Sequence, residues 1–178
     1  MKQVIVILAF LAAFASCKNG TDNGKVQTKR DSLLNNIQQL EKQISGTQAL
    51  DMKLGASIVK AYLDFYKAFP KDANTADYLF KAGDVSMNLK QSQKAIEIFD
   101  NVYQMYPAYK KASFALFLEG FIYETQLDDI SSAKEKYNKV VKEYPNSKIA
   151  EDAKASIANL GKSDAELIKE FEVKNKVK

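Results

Sequence analysis

Residues 83–107 read GDVSMNLKQSQKAIEIFDNVYQMYP, and residues 120–145 read GFIYETQLDDISSAKEKYNKVVKEYP. Counted back from Pro107, Phe99 lies 8 residues before, Ala95 12 before and Gly83 24 before. Counted back from Pro145, Tyr137 lies 8 before, Ala133 12 before and Gly120 25 before, one residue more in the loop 127–132. Pro70 opens the series 37 residues ahead of Pro107, with Tyr62 and Ile58 in the same register. A self-match at this period is the mark of stacked helix pairs. Small residues let two antiparallel helices approach, an aromatic ring fills the space between neighbouring pairs, and proline, lacking an N–H, ends the second helix.

These positions resemble the tetratricopeptide repeat, over roughly residues 52–160. The spacing of 13 from Pro70 to Gly83 and from Pro107 to Gly120, with the phrase Tyr144-Pro145-Asn146-Ser147, resembles the outer-membrane lipoprotein subgroup of these repeats. BamD of the β-barrel assembly machine and YbgF/CpoB of the Tol-Pal system stand for that subgroup. The resemblance implies an all-α, tetratricopeptide-type α-solenoid of antiparallel helix pairs that binds proteins.

Apolar periodicity and end signals predict helices over 32–44, 52–69, 73–89, 92–105, 109–125, 131–143, 148–160 and 164–173. Asp51 is the expected N-cap of the second, Ser132-x-x-Glu135 a capping box near the start of the sixth, and Gly161 the stop of the seventh. The last helix, opened by Ser163-x-x-Glu166, is expected to cap the solenoid with Leu167, Ile168 and Phe171. Leu33, Ile37, Leu40 and Ile44 of the first helix follow a heptad-like spacing. They serve either docking on the next helix or oligomerisation.

Composition supports long helices: only 7 glycines and 3 prolines occur in 178 residues. The net charge of +4 is spread by interleaved lysines and acids, so no basic face marks a nucleic-acid partner. Histidine is absent and Cys17 is the one cysteine, which removes the commonest general base, the usual zinc ligands and any intramolecular disulfide. No phosphate-gripping loop or nucleophile motif is found. The expectation is a protein with no catalytic residues, no metal and no cofactor.

Residues 1–16 read as a lipoprotein signal peptide. Lys2 precedes an apolar run from Val4 to Phe14, which as a helix spans about 16 Å against a bilayer core of roughly 30 Å. Phe14-Ala15-Ser16-Cys17 resembles the bacterial lipobox, with Phe14 where leucine is usual, which implies lipidation of Cys17. Ala13-Phe14-Ala15 also fits ordinary signal cleavage, leaving a soluble periplasmic protein from Ser16. Lys18, by resemblance, implies the outer membrane, facing the periplasm. Residues 17–30 are expected to be a flexible tether because they hold a single aliphatic side chain, Val26. An N-terminal helix over 31–45 and a repeat domain over 46–178 follow.

By the same resemblance the partner groove is lined by the first helix of each pair. That assigns Asp77, Phe80, Asp84, Met87 and Asn88 in one repeat, and Phe117, Phe121, Glu124 and Thr125 in the next. The alternative for each phenylalanine and methionine is core packing. Phe80 and Asp84 stand where repeats that clamp a terminal carboxylate carry Lys and Asn, so that clamp is not expected. Carbohydrate binding, found in longer lipoproteins with such repeats, is disfavoured by the absence of tryptophan.

Overall fold

The computed structural model describes residues 20–46 and 51–176. Among these the chain forms α1 (Gly20–Ser45), α2 (Met52–Ala68), α3 (Thr75–Asn88), α4 (Ser92–Met105), α5 (Ala112–Gln126), α6 (Ile130–Glu143), α7 (Lys148–Asn159) and α8 (Asp164–Lys176). Each helix from α1 to α6 packs on the next, which makes the chain an all-α solenoid of antiparallel helix pairs. The signal segment and Cys17 lie outside the described residues.

The aromatic–proline phrases end α2, α4 and α6 in one manner. Phe69, Tyr106 and Tyr144 are the C-caps, and each N–H donates to the carbonyl four residues back. The carbonyl of each then accepts from the N–H three residues on, at Asp72 (3.1 Å), Tyr109 (2.9 Å) and Ser147 (3.0 Å). Those residues accept in turn from Thr75 (3.1 Å), Ala112 (2.8 Å) and Ala150 (3.1 Å). Three loops of different sequence thus fold by the same pairs of backbone bonds, each leading into a new helix.

Phe99 and Tyr137 are fully buried. Each ring packs on the glycine of its own helix pair, and Tyr137 also faces α7, where it interacts with Ser156 and shares a core cluster with Ala153. A Cβ built on Gly83 would stand 2.6 Å from Phe99 Cε1, and one on Gly120 2.8 Å from the Tyr137 ring. The glycine removes the side chain that would hold the ring away. The Ala133 carbonyl is 3.3 Å from the same point on Gly120, and Ala95 and Ala133 are fully buried. Other rings also join the pairs: Tyr78 of α3 stacks on Tyr62 (5.4 Å) and meets Phe65 edge-on (5.1 Å) across α2. Gly55, which the repeat register did not mark, makes a similar approach to Leu89.

The N-terminal segment departs from expectation. Residues 20–30, expected as tether, are the first turns of α1. Residues 23–29 are exposed, so burial does not hold them. They extend a helix already nucleated by the buried Ile37, and adding residues to a formed helix needs no core contact. Gln27 donates to Asp31 (2.8 Å), and Arg30 reaches Asp72 in the α2–α3 loop (Nε–Oδ2 2.6 Å). Leu33, Leu34, Leu40 and Ile44 pack against the main core, so the heptad-like stripe docks within the chain.

The helix ends agree with expectation at three points and differ at one. Asp129, not the Ser132–Glu135 pair, caps α6: its carboxylate accepts from the Ser132 N–H (3.0 Å) and hydroxyl (2.7 Å). Asp51 caps α2 through the N–H groups of Lys53 and Leu54, both at 3.3 Å. Gly161 follows α7 with φ of 76°. The capping box before α8 is formed, with Ser163 N–H donating to Glu166 at 2.8 Å. Ile168, expected to cover the solenoid end, is 60% exposed. The exposed residues of α7 include Glu151, Asp152 and Lys154, and the side chains of Leu167 and Phe171 lie outside the described residues.

Candidate partner-binding face

The first helices of successive pairs, α1, α3 and α5, form one face of the solenoid. Helical period 3.6 puts Asp77, Phe80, Asp84 and Asn88 of α3 on one stripe, and Phe114, Phe117, Phe121 and Thr125 of α5 on the next. Rings connect the two. Phe80 lies 6.0 Å from Phe114 in a stacked arrangement, 6.3 Å from Tyr109 and 5.4 Å from Phe99. Phe114 stacks on Phe117 at 6.1 Å, and Phe117 meets Tyr137 at 5.1 Å. The ammonium of Lys111 sits 4.5 Å above the Phe80 ring, a cation–π contact.

Several of the expected groove residues have partners within the fold. Phe80 is only 6% exposed. Phe117 and Met87 are half-buried, and the Met87 carbonyl accepts from Gln126 (3.2 Å). Glu124 accepts from the Tyr137 hydroxyl (2.6 Å), and Asp77 from that of Tyr109 (2.9 Å). Asn88 and Thr125 bond back to carbonyls of their own helices. Asp84 and Phe121 remain open, the latter 37% exposed. Phe114, 39% exposed, joins them although sequence reasoning missed it. Its signal was present: it precedes Phe117 by one helical turn.

Burial shapes the charges. The Asp84 carboxyl is raised by loss of water, an effect that nearby Lys111 opposes. Glu119 of α5, also missed in the sequence, is fully buried, with Lys136 Nζ of α6 2.6 Å from Oε2. Neither oxygen receives a well-aligned hydrogen bond, and burial pushes the carboxyl up to about 7 in spite of Lys136. Arg30 holds the Asp72 carboxyl below its ordinary range by a direct hydrogen bond. Among the described residues, no group of three His, Cys, Asp or Glu stands close enough to hold a metal ion. No described helix is long and apolar enough to cross a membrane.

The class of protein defined here is a solenoid of antiparallel helix pairs with an aromatic face along its first helices. Residues 77–109 and 114–147 match the family model described as tetratricopeptide repeat. Those spans cover the α3–α4 and α5–α6 pairs, so these two pairs are similar to tetratricopeptide repeats, which generally mediate protein–protein interactions. No curated protein matches the chain.

Proposed function

We propose that the chain is a non-catalytic adaptor of the bacterial cell envelope, held at a membrane by lipid on Cys17, that binds a protein segment across the α1–α3–α5 face. The observation that carries the binding role is the pair of exposed rings, Phe114 and Phe121, on that face of matched repeats. A phenylalanine in a packed face with a third of its surface in water gains by burial against a partner. The envelope role rests on the sequence: Cys17 stands directly after the apolar run 4–14, in a lipobox-like phrase. The outer membrane, facing the periplasm, is the proposed site.

A photo-crosslinking residue at Phe121 in intact cells tests the binding role, with one at Lys154 on the outward face of α7 as control. Discrete protein adducts should form from position 121 and not from 154. Identical patterns from both positions would remove the reading. Cys17→Ala tests the anchor separately: the protein should leave the membrane fraction, and unchanged fractionation refutes lipidation.

A role in an outer-membrane assembly or Tol-Pal-type complex fits the same envelope reading. Oligomerisation through the first helix has less support, since its apolar stripe is occupied by α2 and the core.

A further inference from the structure

Between α1 and α3 lies an open hollow of about 460 Å³. Ile44 of α1 and Val85 of α3 line its walls, and Ile58 and Tyr62 of α2 its floor. Its charged groups are Glu41, Lys81 and Asp84, two carboxylates against one ammonium. Lys81 is already committed. Its Nζ lies 2.9 Å from Glu41 Oε1 and 3.3 Å from Asp77 Oδ2. The Tyr62 hydroxyl donates to the same Glu41 oxygen at 2.8 Å. Among the described residues, nothing donates a hydrogen bond to the Asp84 carboxylate or forms an ion pair with it. Lys111, the cation that influences it, is seated over Phe80.

We propose that this hollow receives a lysine or arginine side chain from a bound protein segment, with its charged end on Asp84. The inference rests on the reading of the face as partner-binding. The hollow has a surplus carboxylate that is open to solvent and has no partner among the described residues. A charge-assisted hydrogen bond is the contact it lacks. Lysine and arginine also carry aliphatic stems that lie along apolar walls, here Ile44, Ile58 and Val85. An acidic segment would meet Glu41, Asp77 and Asp84 together and be repelled. With Phe114 and Phe121 on the adjoining helix, the segment recognised is both basic and apolar.

The test uses the chain from Lys18 onward, which keeps every described residue, and two fluorescent peptides of about 12 residues, roughly 18 Å as a helix. Both carry leucine at the same positions; one has lysine elsewhere and the other glutamate. The lysine peptide should bind at least about tenfold more tightly than the glutamate peptide, and Asp84→Asn should weaken it about tenfold. Glu151→Gln, on the outward face of α7, should leave it unchanged. Asp84 is exposed and holds no side-chain bond, so its variant keeps the fold, which circular dichroism verifies. Equal affinity for the two peptides, no binding of the lysine peptide at about 1 mM, or no effect of Asp84→Asn each overturns the proposal. If crosslinks from position 121 persist at full yield in Asp84→Asn cells, the hollow is excluded while the binding face stands. If position 121 yields no adduct at all, the face itself is excluded.

Discussion

The ring of Phe99 lies on the backbone of Gly83, so close that a Cβ there would stand 2.6 Å from the ring edge. Each member of the pair makes sense only with the other. The glycine destabilises its helix by roughly 0.5–1 kcal/mol relative to alanine when isolated, and here it admits a fully buried phenyl group.

Gly83→Ala should therefore destabilise the chain, against its helix propensity, by about 1–3 kcal/mol through overpacking. Phe99→Ala should lose about 3–5 kcal/mol. Urea unfolding measures both, and the double variant tests coupling: its loss should fall short of the sum. A Gly83→Ala variant as stable as the parent would show that the ring can move aside at no cost.

Glu119 makes stability depend on pH in a direction opposite to most carboxylates. Its folded pKa, about 7, exceeds the ordinary 4.5, so the folded chain holds this proton more tightly than the unfolded chain. Stability from this group is complete below pH about 4.5 and falls as pH rises to about 7, by about 3 kcal/mol in all. Glu119→Gln should remove that slope. The difference between parent and variant unfolding free energies, measured from pH 4 to 8, isolates the effect. Parallel curves would exclude it.

Arg30 and Asp72 tie the exposed start of α1 to the α2–α3 loop. Arg30→Ala should leave the repeats folded while amide exchange quickens in residues 23–30, where few other contacts resist fraying. The depressed Asp72 pKa sets the pH window: the tie is present above the ordinary carboxylate value of 3.8 and is lost as pH falls below it through the folded value. Exchange in residues 23–30 that is insensitive to Arg30→Ala would show that helix propensity alone sustains the segment.

Lys90 and Asp128 occupy matching turns between the helices of each pair, with φ of 58° and 52°. Non-glycine residues pay for this left-handed conformation in steric strain. Lys90→Gly should therefore stabilise the chain by up to about 1 kcal/mol, whereas Gly161→Ala, at φ of 76°, should destabilise it by a similar amount. Thermal unfolding of both variants checks the contrast in sign.

The helix pairs were legible because proline, glycine and aromatic residues recur at fixed offsets, each bearing a local physical demand. The true start of α1 was not. Residues 17–30 hold little that can be buried, and helix propagation from a docked segment does not require burial. On the binding face, Asp84 and Phe121 were readable, but which of their companions would be consumed by packing depended on contacts such as Glu124 with Tyr137 and Asp77 with Tyr109. Glu119 was invisible because only Lys136, 17 positions on, makes its burial tolerable.

The shared backbone bonding of the loops after Phe69, Tyr106 and Tyr144 makes the architecture extensible. A duplicated copy of residues 70–106 spliced in ahead of Pro107 would begin and end on junctions the chain already makes, and would meet a neighbour surface of familiar shape. Evolution or an engineer can therefore lengthen this protein by whole units and widen the surface it offers without inventing a new corner.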